Sequence, residues 1–141
     1  MDRRSLLRFT VAGAAVGIVA PRSVLAGSTT FNPLRAPMAG ALYYTEDAPG
    51  RWSKKVDGHL PRFEREGNII EVATGHEMNG FEHYIVKHQV FDQDFKLIAE
   101  KMFDPATDAP ISRHDISGHG ERVYALSFCN KHDAWLNALD I

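Results

Sequence analysis

From residue 68 onward, short apolar or alternating runs recur between clusters of turn residues. Residues 68–74 (NIIEVAT) are β-branched and lie between Gly67 and Gly75. Residues 82–91 alternate, with Tyr84, Val86, His88 and Val90 on one side and His83, Ile85, Lys87 and Gln89 on the other. Residues 95–103, 111–117 and 122–129 continue the series, separated by Asp92-Gln93-Asp94, Asp104-Pro105 and Gly118-His119-Gly120. Period-two runs punctuated in this way predict an all-β chain folded as an antiparallel β-sandwich. No helix of ordinary length is placed after residue 56. Residues 27–51 are rich in Gly, Pro, Thr and Ala around Leu42-Tyr43-Tyr44, and read as an extended arm and loop with a turn near Trp52-Ser53-Lys54-Lys55. The expected organisation is a leader over 1–26, an extended arm over 27–55 and a sandwich over 56–141.

The leader is read from its own pattern. Arg3, Arg4 and Arg8 precede an apolar stretch over residues 9–20, and the segment ends in Val24-Leu25-Ala26. Twelve apolar residues fall well short of the roughly 20 that cross a bilayer as a helix. A charged start, a short apolar core and a small-residue exit describe an export signal, and paired arginines point to the twin-arginine route. Cleavage after Ala26 and a periplasmic location follow as expectations, with no membrane span afterwards. That cleavage takes away four of the 16 Lys and Arg and one of the 18 Asp and Glu, so the formal charge moves from −2 to −5. No basic cluster proposes a nucleic-acid partner. A route that carries folded proteins allows a metal to be fixed before export, where geometry and availability decide which ion is bound.

Composition then narrows the chemistry. The 141 residues include 7 His but 1 Cys, which excludes an internal disulfide, an all-cysteine zinc site and a cysteine-ligated cluster. His59 lies in a loop before the strands, and His76 and His83 flank the segment 77–82. Cys129 and His132 stand three apart where the last long run ends. Loops at one end of a sandwich can bring such residues together, and a Cys-x-x-His pair is a spacing that metal sites use. His88 faces the core side of its run. His88, His114 and His119 are read as structural or solvent-facing.

These residues resemble the superoxide reductases, the desulfoferrodoxin and neelaredoxin family. Cys129-Asn130-Lys131-His132-Asp133-Ala134-Trp135 is similar to that family's Cys-Asn-x-His-x-x-Trp, and His83-Tyr84-Ile85 to its His-Tyr-Ile. That second motif is preceded here by His76 and Met78, and His59-Leu60-Pro61 resembles the family's His-hydrophobic-Pro. The resemblance spans residues 57–135 in order. It implies an immunoglobulin-like sandwich holding one mononuclear iron, with His59, His76, His83 and His132 as equatorial ligands and Cys129 as the axial thiolate. It further implies reduction of superoxide to hydrogen peroxide. The partners expected are superoxide and an external electron donor, a small redox protein; a homo-oligomer is compatible with this reading.

Three departures from the family pattern stand out. His76 and His83 are seven apart where the family usually has six, and Glu77 replaces a proline; the extra residue is assigned to the Asn79-Gly80 turn. Asp57-Gly58 stands where the family commonly has Glu-Lys, so Lys54, Lys55 or Lys131 is expected to supply the charge beside the open position. The four-cysteine iron centre of some relatives is absent. Two other readings compete. A cupredoxin-like copper or electron-transfer site would need a methionine close behind the cysteine, and none follows Cys129. A non-enzymatic sandwich would bind no metal.

Overall fold

The computed structural model describes residues 31–141; the leader, its cleavage point and residues 27–30 of the arm lie outside the described residues. Seven strands follow a single helical turn, α1 (Val56–His59). They are β1 (Arg62–Glu66), β2 (Ile69–Ala73), β3 (Ile85–Phe91), β4 (Leu97–Met102), β5 (Ile111–Asp115), β6 (Arg122–Cys129) and β7 (Asp133–Asp140). They form two antiparallel sheets, β1-β2-β5 and β4-β3-β6-β7. This is the three-on-four arrangement of an immunoglobulin-like sandwich.

The inward positions of both sheets build the core, from Ile70 and Val72 of β2 to Val90 of β3 and Val123 and Ala125 of β6. One detail departs from simple alternation. Between Ile85 and Lys87 the pairing of β3 with β6 slips by a residue, so Ile85 faces Cys129 while Lys87 faces Phe128. This bulge turns Ile85 to the same side as His88 and Val90, and all three are fully buried.

Two strands go beyond the sequence expectation. β1 (RFERE) has only Phe63 partly buried and is the charged edge of its sheet, with no alternation to betray it. β7 (DAWLNALD) is built from weak strand formers, yet it pairs with β6 along its whole length and buries Trp135 completely.

Residues 31–55 are not freely extended. They contain short 3-10 turns at Pro33–Arg35 and Gly50–Trp52. Tyr44 adds a parallel bridge to the edge of β7: its N–H donates to Ala134 O at 2.9 Å and its carbonyl accepts from Leu136 N–H at 2.8 Å. The Tyr44 ring then packs with Leu60 and Trp135, and Trp52 and Val56 close that cluster. Among the described residues no helix is long and apolar enough to cross a membrane.

Candidate metal centre

Four separate pieces of local structure deliver five side chains to one end of the sandwich. α1 ends at His59, whose Leu60 and Pro61 neighbours are buried. Glycines let the chain bearing His76 approach this turn: a Cβ on Gly75 would lie 3.2 Å from Asp57 O, and one on Gly58 would lie 3.8 Å from Gly75 O. The His59 and His76 rings consequently meet edge to face, with centroids 4.7 Å apart.

His83 follows a loop that closes on itself. Asn79 N–H donates to His83 O at 2.9 Å, Gly80 takes φ 55° and Gly80–Glu82 forms a 3-10 turn. The chain between His76 and His83 turns there, and their Nε2 atoms stand 3.0 Å apart.

Cys129 ends β6, and His132 is the last residue of the three-residue hairpin loop that leads into β7, whose first residue, Asp133, takes φ 63°. Asn130 ties this hairpin to the His83 segment. Its Oδ1 accepts from Tyr84 N–H at 3.0 Å, and its Nδ2 donates to Glu82 O at 3.0 Å and Phe81 O at 3.3 Å. Asp133 braces the other side, its Oδ2 accepting from Trp52 Nε1 at 2.9 Å and from Arg51 at 2.5 Å. The Trp52 ring stands edge-on to His132, with centroids 4.7 Å apart. Sequence reasoning alone assigns no role to Asn130, Asp133 or Trp52, although Asn130 lies inside the Cys129–His132 motif.

The ligand atoms of His59, His76, His83, Cys129 and His132 all lie within 4.8 Å of one another. His59 Nε2 is 3.0 Å from His132 Nδ1, which is 3.1 Å from His83 Nε2 and 3.5 Å from Cys129 Sγ. Hydrogen bonds cannot account for every close nitrogen contact here. His59 donates its Nδ1–H to Lys55 O at 2.9 Å, and His76 donates its Nδ1–H to Glu77 O, which leaves both Nε2 atoms as bare lone pairs in the neutral rings. The four nitrogens form a row, His76–His83–His132–His59, with an acceptor at each end. Three contacts along such a row need donors and acceptors to alternate, and that pattern cannot end in two acceptors. At least one contact must set like against like.

A cation among four lone pairs removes the conflict. An imidazole nitrogen lies about 2.1 Å from a first-row metal, so two ligands at a right angle stand about 3.0 Å apart, as these nitrogens do. The outward Nδ1–H bonds of His59 and His76 are the contacts that fix the tautomer of metal-bound histidine. The donor set therefore fits a single transition-metal ion.

Electrostatics agrees with neutral rings. Burial, opposed by the bond to Lys55 O, pushes His59 down to about 4. Burial also lowers His83, reinforced by His76 and His132, and lowers His132, reinforced by Lys55. A cleft of about 260 Å³ opens over His59, His76 and His83, lined also by Lys54 and Lys55. Cys129 does not line it and is buried with Ile85 and Phe103, Met78 packing alongside. Lys131 acts on His83 and His132 through its charge. Of the remaining histidines, His88 and His114 are buried in the sandwich and His119 is partly exposed near the Gly118 turn.

No family model and no curated protein matches this sequence. Solved structures do. A singly substituted form of a superoxide reductase (neelaredoxin) from Ignicoccus hospitalis aligns over 72% of this chain and 94% of its own, with a TM-score of 0.63 and 24% identity. The form without a substitution gives a TM-score of 0.59 at 24% identity over 72% of this chain and 95% of its own. A one-iron superoxide reductase from Giardia intestinalis gives 0.54 at 19% identity, over 60% of this chain and 99% of its own. The sandwich thus has the fold of the superoxide reductases, and it carries a four-histidine, one-cysteine cluster at one end.

Proposed function

We propose that His59, His76, His83, His132 and Cys129 hold one iron ion, and that the exported protein reduces superoxide to hydrogen peroxide using electrons from an external donor. The observation that carries this reading is the row of four imidazole nitrogens whose contacts no set of hydrogens can satisfy, closed on the core side by a buried thiol. When bound, ferrous iron supplies one electron to superoxide, which takes two protons from water and leaves as hydrogen peroxide. The fold of solved superoxide reductases and the order of the sequence motifs support the same assignment.

The chain's own residues have definable parts. The imidazoles would present neutral nitrogen to the ion, and Cys129, buried and outside the cleft lining, would supply sulfur. The cleft admits a small anion on the histidine face, and Lys54 and Lys55 at its wall raise the local anion concentration. Lys131 adds positive charge from the hairpin. Periplasmic residence through the twin-arginine route follows from Arg3, Arg4 and the short apolar stretch after them.

Purified protein tested by metal analysis and pulse radiolysis separates the alternatives. The expected result is one iron per chain and superoxide consumption with peroxide as the sole product. Oxygen released alongside peroxide would mean dismutation, and a copper stoichiometry would mean a cupredoxin-like site. Cys129→Ser loses the visible thiolate band, whereas His119→Ala retains it.

A further inference from the structure

Beneath the cluster lies a polar chain that the proposed chemistry does not use. His88, on β3, is fully buried, and both ring nitrogens meet hydroxyls of the opposing sheet or its continuation. Nε2 is 2.8 Å from Thr74 Oγ1, and Nδ1 is 2.8 Å from Ser112 Oγ. Thr74 Oγ1 lies 2.8 Å from Ser127 Oγ on β6, and Ser112 Oγ lies 2.8 Å from His114 Nε2. The chain therefore runs His114–Ser112–His88–Thr74–Ser127 through the space between the sheets, and among the described residues every buried side-chain polar atom is paired.

A buried polar chain is costly unless complete, and an apolar core would fill this space without that demand. Its endpoints suggest what it holds. Thr74 is two residues from His76, and its carbonyl accepts His76 N–H at 2.8 Å. Ser127 is two residues from Cys129 on the same inward face of β6. His76 follows β2 and Cys129 ends β6, interior strands of different sheets, and Nε2 and Sγ lie 3.8 Å apart. The hydroxyl–hydroxyl bond between Thr74 and Ser127 ties the two segments two residues before that pair, and His88 bonds the Thr74 hydroxyl.

We infer that His88, acting through Thr74 and Ser127, is a positioning residue that sets the separation of His76 and Cys129 in the metal centre. This rests on the metal reading above. Metal-ligand supports of this kind change affinity by roughly 10–100-fold when removed, whereas a purely structural bond changes only stability.

The test uses full-chain protein loaded with cobalt(II), which reports thiolate coordination by its visible charge-transfer band, challenged with a competing chelator. Thr74→Val and His88→Gln should each weaken cobalt binding about tenfold and shift the band. Thr74→Ser, which keeps the hydroxyl, should retain both. Val123→Ala, a cavity at the far end of β6, should lower the melting temperature and leave affinity and band unchanged. If Thr74→Val does not fold, Ser127→Ala carries the same expectation. Equal affinity losses in Thr74→Val and Val123→Ala, or none in Thr74→Val and Ser127→Ala, would overturn the positioning role. An unaltered protein that binds cobalt with no thiolate band would instead overturn the metal reading itself.

Discussion

His88 also makes a quantitative prediction about acid. Burial, aided by His114, pushes its pKa down to about 3, while the unfolded chain titrates near 6.5. A histidine with a depressed folded value leaves stability intact above the unfolded pKa and removes it as pH falls from about 6.5 towards 3, because the unfolded state binds the extra proton. Between pH 7 and pH 5 the His88 contribution amounts to about 2 kcal/mol, from RT ln(1 + 10^1.5) at pH 5 and nearly zero at pH 7. The other lowered histidines add their own losses, so the informative quantity is a difference between two proteins. Urea unfolding of the unaltered protein and of His88→Gln, at equal metal content, gives that difference at each pH. The variant starts less stable at pH 7, having lost a buried hydrogen-bonding ring, and the gap should shrink by about 2 kcal/mol at pH 5. A gap that stays constant across this range would refute the claim that His88 is buried neutral, and with it the reading of the polar chain.

Three further outcomes are expected. Gly58→Lys fits, since an added Cβ meets only Gly75 O at 3.8 Å, and should raise the second-order rate with superoxide several-fold at low ionic strength, an effect fading as salt rises; an unchanged rate in stopped-flow measurements at low salt would mean Lys54 and Lys55 already saturate the attraction. Asn130→Ala removes the side chain that ties the hairpin to the His83 segment and should cost about 2 kcal/mol in chemical denaturation, with reduced iron content. Gly75→Ala sets a methyl 3.2 Å from Asp57 O, forcing α1 away from the His76 segment, and should lower the iron-to-protein ratio while the far-UV circular dichroism spectrum keeps its β form.

Much of this architecture can be read in the chain, and the exceptions have physical causes. Strands β2, β3, β4, β5 and β6 fall within the alternating or β-branched runs, because each has one face towards the core. β1 escapes such reading as a charged edge with a single inward ring, and β7 because its apolar residues are mostly Ala and Leu, which do not favour strands by themselves. Side assignment within β3 fails at Ile85, where a bulge that no pattern announces changes the parity. The five clustered residues are legible because short spacings survive as motifs. Their supports are not: Asp133 lies about 80 positions from Trp52 and Arg51, and Thr74, Ser112 and Ser127 are ordinary strand residues until the sheets stack. His114 is a case of the same kind, since its burial depends on packing across the sandwich rather than on its neighbours in sequence.

The order in which these residues leave the ribosome has a consequence of its own. His59 is synthesised 73 positions before His132, and Cys129 with its hairpin belongs to the β6–β7 pair. A growing chain offers His59, His76 and His83 before the thiol and the bracing hairpin are made, and β7 must still dock beside Tyr44 for the His132 wall to form. Selection of the ion is thereby deferred until the β6–β7 hairpin has closed. A chain truncated before Cys129 would present His59, His76 and His83 alone, a partial, open set of histidines that any imidazole-seeking metal could fill.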